Sequence, residues 1–254
     1  MVEPVILKLS GKALNAKDEL DALFQALKGR PALIVHGGGV EVDELLHKLG
    51  IESRRIDGLR VTTKEELFYI SAVLAGACSR GLQAKAVAAG LNALSIITTD
   101  YHFLKTARLD PKYGEVGTAA PDDGSEVRAL IERGYTPIMA SLGIMADGSL
   151  LNINADDAAV AAATALKGSL VFLSDVKGVL NDGALLPELT EGKAQELIAN
   201  GVISGGMTVK VNQAFAAARA LHRPIYIGSI FDPDVIKFVE TGAAFGTRIV
   251  PAGL

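Results

Sequence analysis

The chain has 254 residues, of which 49% are hydrophobic and 21% are charged, a balance that is typical of globular domains and excludes a disordered or fibrous class. Its net charge is −4 and its Lys and Arg residues are scattered, which argues against a nucleic-acid partner. The single cysteine, Cys78, excludes an internal disulfide and is interpreted as a packing residue.

The sequence shows no segment typical of export or of a membrane. Met1-Val2-Glu3-Pro4 has no basic region ahead of an apolar segment. The most apolar later stretch, residues 158–173, is interrupted by polar residues and falls short of the ~20 apolar residues that a transmembrane helix needs. We therefore expect a cytoplasmic protein without a membrane partner.

Short β-branched runs alternate with longer amphipathic runs in the first part of the chain. The predicted elements are a strand at 5–9, a helix at 17–28, a strand at 32–35, a helix at 40–49 and a hairpin at 53–62. Gly50 marks the end of the second helix. The βαβα order predicts a mostly parallel sheet that is covered by helices.

The middle of the chain is less regular, and α/β order resumes after it. The predicted elements are helical stretches over 64–89, extended segments at 94–97 and 103–116, a helix ending at Arg133, short strands near Thr136, Leu142 and Leu150, a helix at 155–167, a strand at 170–173, helices near Ala194 and Val209, and strands at 225–227 and 247–250. Together they predict one α/β domain over residues 1–254, built as a three-layer αβα sandwich. We expect two lobes, 1–167 and 168–254, on one continuous sheet.

Four glycine-rich turns follow predicted strands: Ser10-Gly11, Gly37-Gly38-Gly39, Asp175-Val176-Lys177-Gly178 and Gly205-Gly206-Met207. Ligands bind at the carboxyl ends of strands in open α/β sheets, where backbone N–H groups attract anions, so four such turns suggest phosphates. A glycine after a strand is more often only a tight turn. The Walker and dinucleotide motifs are absent from the sequence, so the phosphate site must be of another type.

Two lysines stand at unfavourable positions. Lys8 interrupts the apolar strand at 5–9, where a charge is costly unless its ammonium meets an anion. An edge strand with a solvated lysine is the alternative. Lys210 falls in the first turn of a helix, where a cation opposes the helix dipole unless an anion binds there. For Lys210 the alternative is an ordinary surface lysine.

Polar side chains are the other candidates for binding. Asn152 and Asn154 are two residues apart at the end of a strand and therefore face the same way, although Asn154 can also be the N-cap of the next helix. Arg60 suits bidentate capture of a carboxylate, and a solvent-exposed strand arginine is its alternative. The four histidines show no metal-ligand spacing and are interpreted as structural; they are His36, His47, His102 and His222.

Six motifs carry a resemblance that covers essentially the whole chain. They are Leu7-Lys8-Leu9-Ser10-Gly11, Val35-His36-Gly37-Gly38-Gly39, Gly58-Leu59-Arg60-Val61-Thr62, Asn152-Ile153-Asn154-Ala155-Asp156, Leu173-Ser174-Asp175-Val176-Lys177-Gly178 and Gly205-Gly206-Met207-Thr208-Val209-Lys210. In them the chain resembles the amino acid kinase superfamily and, within it, the acetylglutamate kinases. The third and fourth motifs carry the resemblance to the acetylglutamate kinases.

The resemblance implies roles for individual residues. Lys8 and Lys210 would contact the transferring phosphoryl group, and Asp156 would hold both lysines in place. The implied acceptor site comprises Gly38, Gly39, Arg60, Asn152 and Asn154, with the glycines supplying N–H groups and Arg60 and Asn152 binding the acetylglutamate α-carboxylate and its neighbours. The implied ATP site comprises Gly11, Asp175, Val176, Lys177, Gly178, Val179, Leu180, Val202, Ile203, Ser204, Gly205, Gly206 and Met207.

The resemblance also implies an activity: ATP-dependent phosphorylation of the γ-carboxylate of N-acetyl-L-glutamate in arginine biosynthesis, with Mg²⁺ carried mainly by the nucleotide and with no separate metal site. Members of the family that arginine inhibits are typically hexamers with an extra N-terminal helix before the first strand. In this chain the first predicted strand begins near Pro4, so we expect an arginine-insensitive homodimer. Ser10 stands where many members carry a glycine, and the sequence Lys8-Leu9-Ser10-Gly11 is similar to the corresponding start of bacterial uridylate kinases. Acetylaminoadipate, glutamate and uridylate therefore remain alternative acceptors, and a non-catalytic metabolite sensor remains an alternative class.

Overall fold

The computed structural model describes residues 3–253, so Met1 and Val2 of the segment Met1-Val2-Glu3-Pro4 lie outside the described residues, as does Leu254. The strands are β1 Val5–Leu9, β2 Ala32–His36, β3 Arg55–Ile56, β4 Leu59–Arg60, β5 Asn92–Ile97, β6 Leu104–Arg108, β7 Val116–Pro121, β8 Tyr135–Ala140, β9 Leu142–Ile144, β10 Leu150–Ile153, β11 Ser169–Ser174, β12 Leu180–Asn181, β13 Ala184–Leu185, β14 Glu188–Thr190, β15 Ile225–Ser229 and β16 Thr247–Val250. The α-helices are α1 Lys17–Ala26, α2 Gly39–Lys48, α3 Lys64–Ser71, α4 Ser79–Ala88, α5 Ser125–Glu132, α6 Ala155–Leu166, α7 Glu191–Ala199, α8 Gly205–Leu221 and α9 Asp234–Thr241, and a π-helical segment, Ala72–Cys78, joins α3 to α4.

An eight-stranded sheet runs through the molecule in the order β14-β16-β15-β11-β1-β2-β8-β5. Its strands pair in parallel except for the antiparallel pair β15 and β16. This confirms the predicted, mostly parallel sheet. The first strand, β1, pairs with β2 on one side and with β11 on the other, so the sheet joins the two halves of the chain.

Alternation along β1 sends side chains to both faces of the sheet. Ile6 packs into a cluster with α5, α6 and α8, whereas Leu7 and Leu9 pack into a cluster with α1, α4 and α9. All three β1 side chains are completely buried, and burial of each aliphatic side chain contributes about 1.5–3 kcal/mol. Helices therefore cover both faces, as the predicted three-layer sandwich requires.

Smaller strands surround the carboxyl ends of β1 and β2. A second sheet has the order β6-β7-β10-β9, and β3 and β4 form a hairpin. Asp57 and Gly58 both have positive φ, the geometry of the tight two-residue turns that join hairpin strands. Across residues 3–253, no helix is both long and apolar enough to cross a membrane.

The structure differs from the sequence predictions at three places. The extended segment predicted at 103–116 is two antiparallel strands, β6 and β7, separated by the 3₁₀ turn Pro111–Tyr113, and β7 continues to Pro121. The helical stretch 64–89 contains the π-helical segment, which no local pattern indicated. The prediction also left out β12, β13, β14 and α9, all of them short.

Candidate active site

A buried ion pair lies at the centre of the site. Lys8 is only 8% exposed, and its Nζ is 2.7 Å from Asp156 Oδ1 at the start of α6. Because β1 is a central strand, the edge-strand alternative for Lys8 is wrong. Asn154 holds this end of α6, since its Oδ1 accepts hydrogen bonds from the backbone N–H of Asp156 at 2.8 Å and of Asp157 at 3.2 Å.

A cavity of about 290 Å³ opens above this pair. All five residues of the predicted acceptor site line it, together with Lys8, Asp156 and Gly11; the five are Gly38, Gly39, Arg60, Asn152 and Asn154. A Cβ added to Gly38 would lie 2.8 Å from Leu74 Cδ2 and 2.9 Å from Cys78 Sγ, so both side chains would have to shift to admit it. The sequence therefore identified the residues of one continuous pocket, although their contacts with an acceptor stay a prediction.

Arg60 is buried in the wall of this cavity, which contradicts the solvent-exposed alternative. Its Nη1 donates to Asp43 Oδ1 at 2.6 Å and to the hydroxyl of Ser53, and its Nη2 donates to the Gly39 carbonyl at 3.3 Å. Partial burial would raise the pKa of Asp43, but the hydrogen bond and charge of Arg60, with those of Arg55, hold it below its ordinary value. Sequence reasoning missed Asp43, for which no local signal exists.

The two asparagines have different local roles. Asn152 Nδ2 donates to Thr62 Oγ1 at 3.2 Å, which ties β10 to the end of the β3–β4 hairpin. Asn154 is the N-cap of α6, as the alternative reading stated, so its side-chain oxygen is already engaged. Both nevertheless line the cavity of about 290 Å³, so capping does not remove Asn154 from the site.

A second cavity, of about 160 Å³, lies on the other side of the ion pair. Lys8 and Asp156 line it together with Lys210, whose Nζ donates to Ser174 Oγ at 3.2 Å. The resemblance implied that Asp156 holds both lysines. Among the ion pairs of residues 3–253, however, Asp156 pairs with Lys8, whereas Lys210 Nζ lies 3.8 Å from Asp175 Oδ1.

Asp175 has a second cationic neighbour that the sequence did not identify. Lys12 Nζ lies 3.3 Å from Asp175 Oδ2. Partial burial alone would raise the pKa of Asp175, but the Lys12 hydrogen bond and the charges of Lys210 and Lys12 hold it below its ordinary value. The carboxylate therefore stays ionised beside both lysines.

The remaining residues of the predicted ATP site form two segments, 175–180 after β11 and 202–207 at the start of α8. Val179 and Ile203 are buried in the core, so only their backbone can face a nucleotide. Gly178 has φ of +142°, and a Cβ there would lie 2.5 Å from Thr247 Oγ1. Contact between these segments and ATP stays a prediction.

His36 and Cys78 lie next to residues that line the cavity of about 290 Å³, and burial shifts the pKa of each. His36 is buried, its Nδ1 lies 2.7 Å from the Gly37 carbonyl, and burial lowers its pKa. Burial, with the charge of Glu41, raises the pKa of the Cys78 thiol to about 11, so this thiol is protonated at neutral pH. Within the described part of the chain, no three His, Cys, Asp or Glu side chains are grouped so that they could hold a metal ion.

Solved structures share this architecture. A Streptococcus mutans protein superposes with a TM-score of 0.79 at 31% identity and covers 97% of this chain and 98% of its own. The carbamate kinase of Giardia lamblia bound to AMP-PNP has a TM-score of 0.66 at 16% identity, with 98% of both chains covered, and shares the fold. The predicted amino acid kinase fold is therefore confirmed.

Sequence comparison leads to the same family. The acetylglutamate kinase of Serratia proteamaculans is 41% identical over 256 residues, which cover 98% of this chain and 100% of the relative. The acetylglutamate kinase of Aeromonas salmonicida is 40% identical over 254 residues, with 97% and 98% covered. Residues 3–229 match the profile of the amino acid kinase family, and this chain belongs to that family.

Proposed function

We propose that this protein transfers the γ-phosphoryl group of ATP to the γ-carboxylate of N-acetyl-L-glutamate, forming N-acetyl-L-glutamyl 5-phosphate in the second step of arginine biosynthesis. Relatives named acetylglutamate kinase match nearly the whole chain at 40% and 41% identity. The observation that carries the proposal is the Lys8–Asp156 pair, which lines both cavities and would therefore adjoin an acceptor on one side and a nucleotide on the other.

The acceptor needs no general base. A glutamate-type carboxylate has a reference pKa of about 4.3 and is already ionised at neutral pH. The barrier lies in bringing this anion in line with an anionic triphosphate, so the site must supply positive charge and alignment. Lys8 supplies the charge between the two cavities. Asp156 accepts from the Lys8 ammonium and would orient it without taking a proton.

The remaining cavity groups fit the other end of the acceptor. Arg60 and Asn152 would bind the α-carboxylate and its neighbouring polar groups, because a guanidinium and an amide are the donors that such groups prefer. Backbone N–H groups of Gly38 and Gly39 would face the acceptor and the γ-phosphate. The Arg60 guanidinium is held by Asp43 and by the Gly39 carbonyl, so its orientation is set before a ligand binds.

ATP would bind on the Lys210 side, against the segments 175–180 and 202–207. Mg²⁺ would enter on the triphosphate, where it neutralises phosphate charge. We also propose that the protein works in the cytoplasm, where ATP is available, and as a homodimer. Light scattering would then give about twice the chain mass of 26.5 kDa. A monomer mass would reject the homodimer and leave the reaction unaffected.

The decisive experiment traps the product with hydroxylamine. Incubation with MgATP and N-acetylglutamate should give a hydroxamate, because hydroxylamine attacks the acyl carbon of the acyl phosphate and releases inorganic phosphate. Parallel reactions with acetylaminoadipate and glutamate test the other carboxylate acceptors in the same way. Uridylate would give a phosphoanhydride that hydroxylamine does not trap, so a coupled assay of ADP release tests it. A faster reaction with any of them would reassign the substrate within the family. Binding of acetylglutamate without ATP turnover would favour the sensor alternative and overturn the proposed reaction.

A further inference from the structure

A third lysine, Lys12, lies beside the nucleotide side of the site and has no role in the function proposed above. It belongs to the 3₁₀ turn Gly11–Leu14, which follows β1. Its Nζ is 3.3 Å from Asp175 Oδ2, while Lys210 Nζ is 3.8 Å from the other oxygen, Oδ1. One carboxylate therefore holds two ammonium groups that come from opposite ends of the chain.

We propose that Lys12 is a third cation of the nucleotide site and that, with Lys210, it attracts the phosphates of ATP. This inference rests on the proposed function for the nucleotide and extends it. The Asp175 carboxylate alone would offset the charge of Lys210 and repel an incoming triphosphate. The positive charge of Lys12 offsets the negative charge of the Asp175 carboxylate. The charge of Lys210 is then not cancelled, and a net positive charge remains where the phosphates would lie.

The exposure of Lys12 separates this role from a structural one. Its side chain is 78% exposed, and an ion pair this exposed adds little to folding stability. Asp175 therefore does not fix Lys12 strongly, and the long side chain can turn from the carboxylate to a phosphate oxygen. Lys8, in contrast, is buried against Asp156 and has no such freedom. The geometry thus gives the nucleotide one fixed lysine and two that can move.

The test measures MgATP binding to the full chain by calorimetry. Lys12→Met should weaken MgATP binding by about fivefold to tenfold, the loss of one charged contact, and leave adenosine binding unchanged. Lys12→Arg, which keeps the charge, should restore binding. Lys17→Met removes another exposed lysine, in the next helix, and serves as the matched control with unchanged affinity. Wild-type MgATP affinity in folded Lys12→Met would overturn the proposal.

A second measurement asks whether Lys12 acts on the phosphates or only on Asp175. In an Asp175→Asn background the carboxylate is absent, so Lys12→Met should still weaken MgATP binding if the lysine serves the phosphates. Loss of the effect in that background would overturn the proposal. Added salt should weaken binding less in Lys12→Met than in wild type, because one screened attraction has gone. These readouts do not involve the acceptor, so they stand apart from the outcome of the hydroxamate assay.

Discussion

The two cavities that share Lys8 hold their other cations in opposite ways. On the acceptor side, the Arg60 side chain is 6% exposed and is bound by Asp43 and neighbouring groups. On the nucleotide side, the side chain of Lys210 is 38% exposed and shares Asp175 with a second lysine. The proposed acceptor side is thus preorganised for one shape, whereas the proposed nucleotide side offers positive charge on side chains that could follow a phosphate. Substitutions on the two sides should differ accordingly.

The largest effects are expected at the two lysines. Lys8→Ala and Lys210→Ala should each lower kcat by about 10²-fold or more, the scale of losing one electrostatic donor. Lys8 lines both cavities, so its removal should also raise KM for both substrates, whereas Lys210→Ala should raise KM for ATP alone. Steady-state kinetics would show the contrast. Lys237→Ala, which breaks an exposed pair with Asp234, is the control. Wild-type turnover in either variant would reject the site.

Arg60→Lys tests the preorganised side. Lysine cannot reproduce the planar donors that reach Asp43, Ser53 and Gly39, so KM for the acceptor should rise by roughly 30-fold to 100-fold, the equivalent of ~2–3 kcal/mol for a buried charged contact. KM for ATP should stay unchanged. Arg54→Lys, at an exposed position of the same segment, should behave as wild type. Equal changes in the two KM values would contradict the division between the cavities.

Gly38→Ala tests how tightly the acceptor side is packed. The new Cβ would meet Leu74 and Cys78 at under 3 Å, and overpacking of this kind costs about 1–3 kcal/mol of unfolding free energy. Gly39→Ala is the matched control, because no atom lies within 4 Å of the Cβ that it would add. Denaturant unfolding should separate the two variants. Equal stability would show that the acceptor wall yields more easily than its contacts indicate.

The smallest effect is a dependence of stability on pH. Burial lowers the pKa of His36, so below the ordinary value of 6.5 the unfolded chain binds a proton that the folded chain does not. The free energy of unfolding should therefore fall as the pH drops below 6.5, by up to about 1.4 kcal/mol per pH unit until the lowered pKa is reached. His36→Asn should flatten this slope, and the exposed control His47→Asn should not. An unchanged slope in His36→Asn would assign the dependence to other groups.

Sequence patterns predicted the fold best where strands are buried. Apolar runs such as Val5–Leu9 and Ser169–Ser174 are central strands, and their short length, apolar composition and flanking turns identify them without any tertiary information. The hairpin strands β12 and β13 have only two residues each, too few for a period. The helix α9 begins after Pro233 and shows its apolar face over only eight residues.

Sequence patterns likewise identified some residues of the site and missed others. Lys8 was detectable because a charge in an apolar strand demands an explanation, and Arg60 and Asn152 because motifs carry them. Asp43 and Lys12 gave no such signal. Each is an ordinary polar residue in its own segment, and its importance arises only when folding places it against Arg60 or Asp175.

The position of β1 between β2 and β11 has a consequence for folding. β1 is synthesised first, yet it can pair with β11, and Lys8 with Asp156, only after more than half of the chain has been synthesised. Contacts so distant in sequence slow folding, because a long loop must close before they form. Neither half of the sheet can unfold without exposing β1 to solvent. We therefore expect a single cooperative unfolding transition in which activity and structure are lost together.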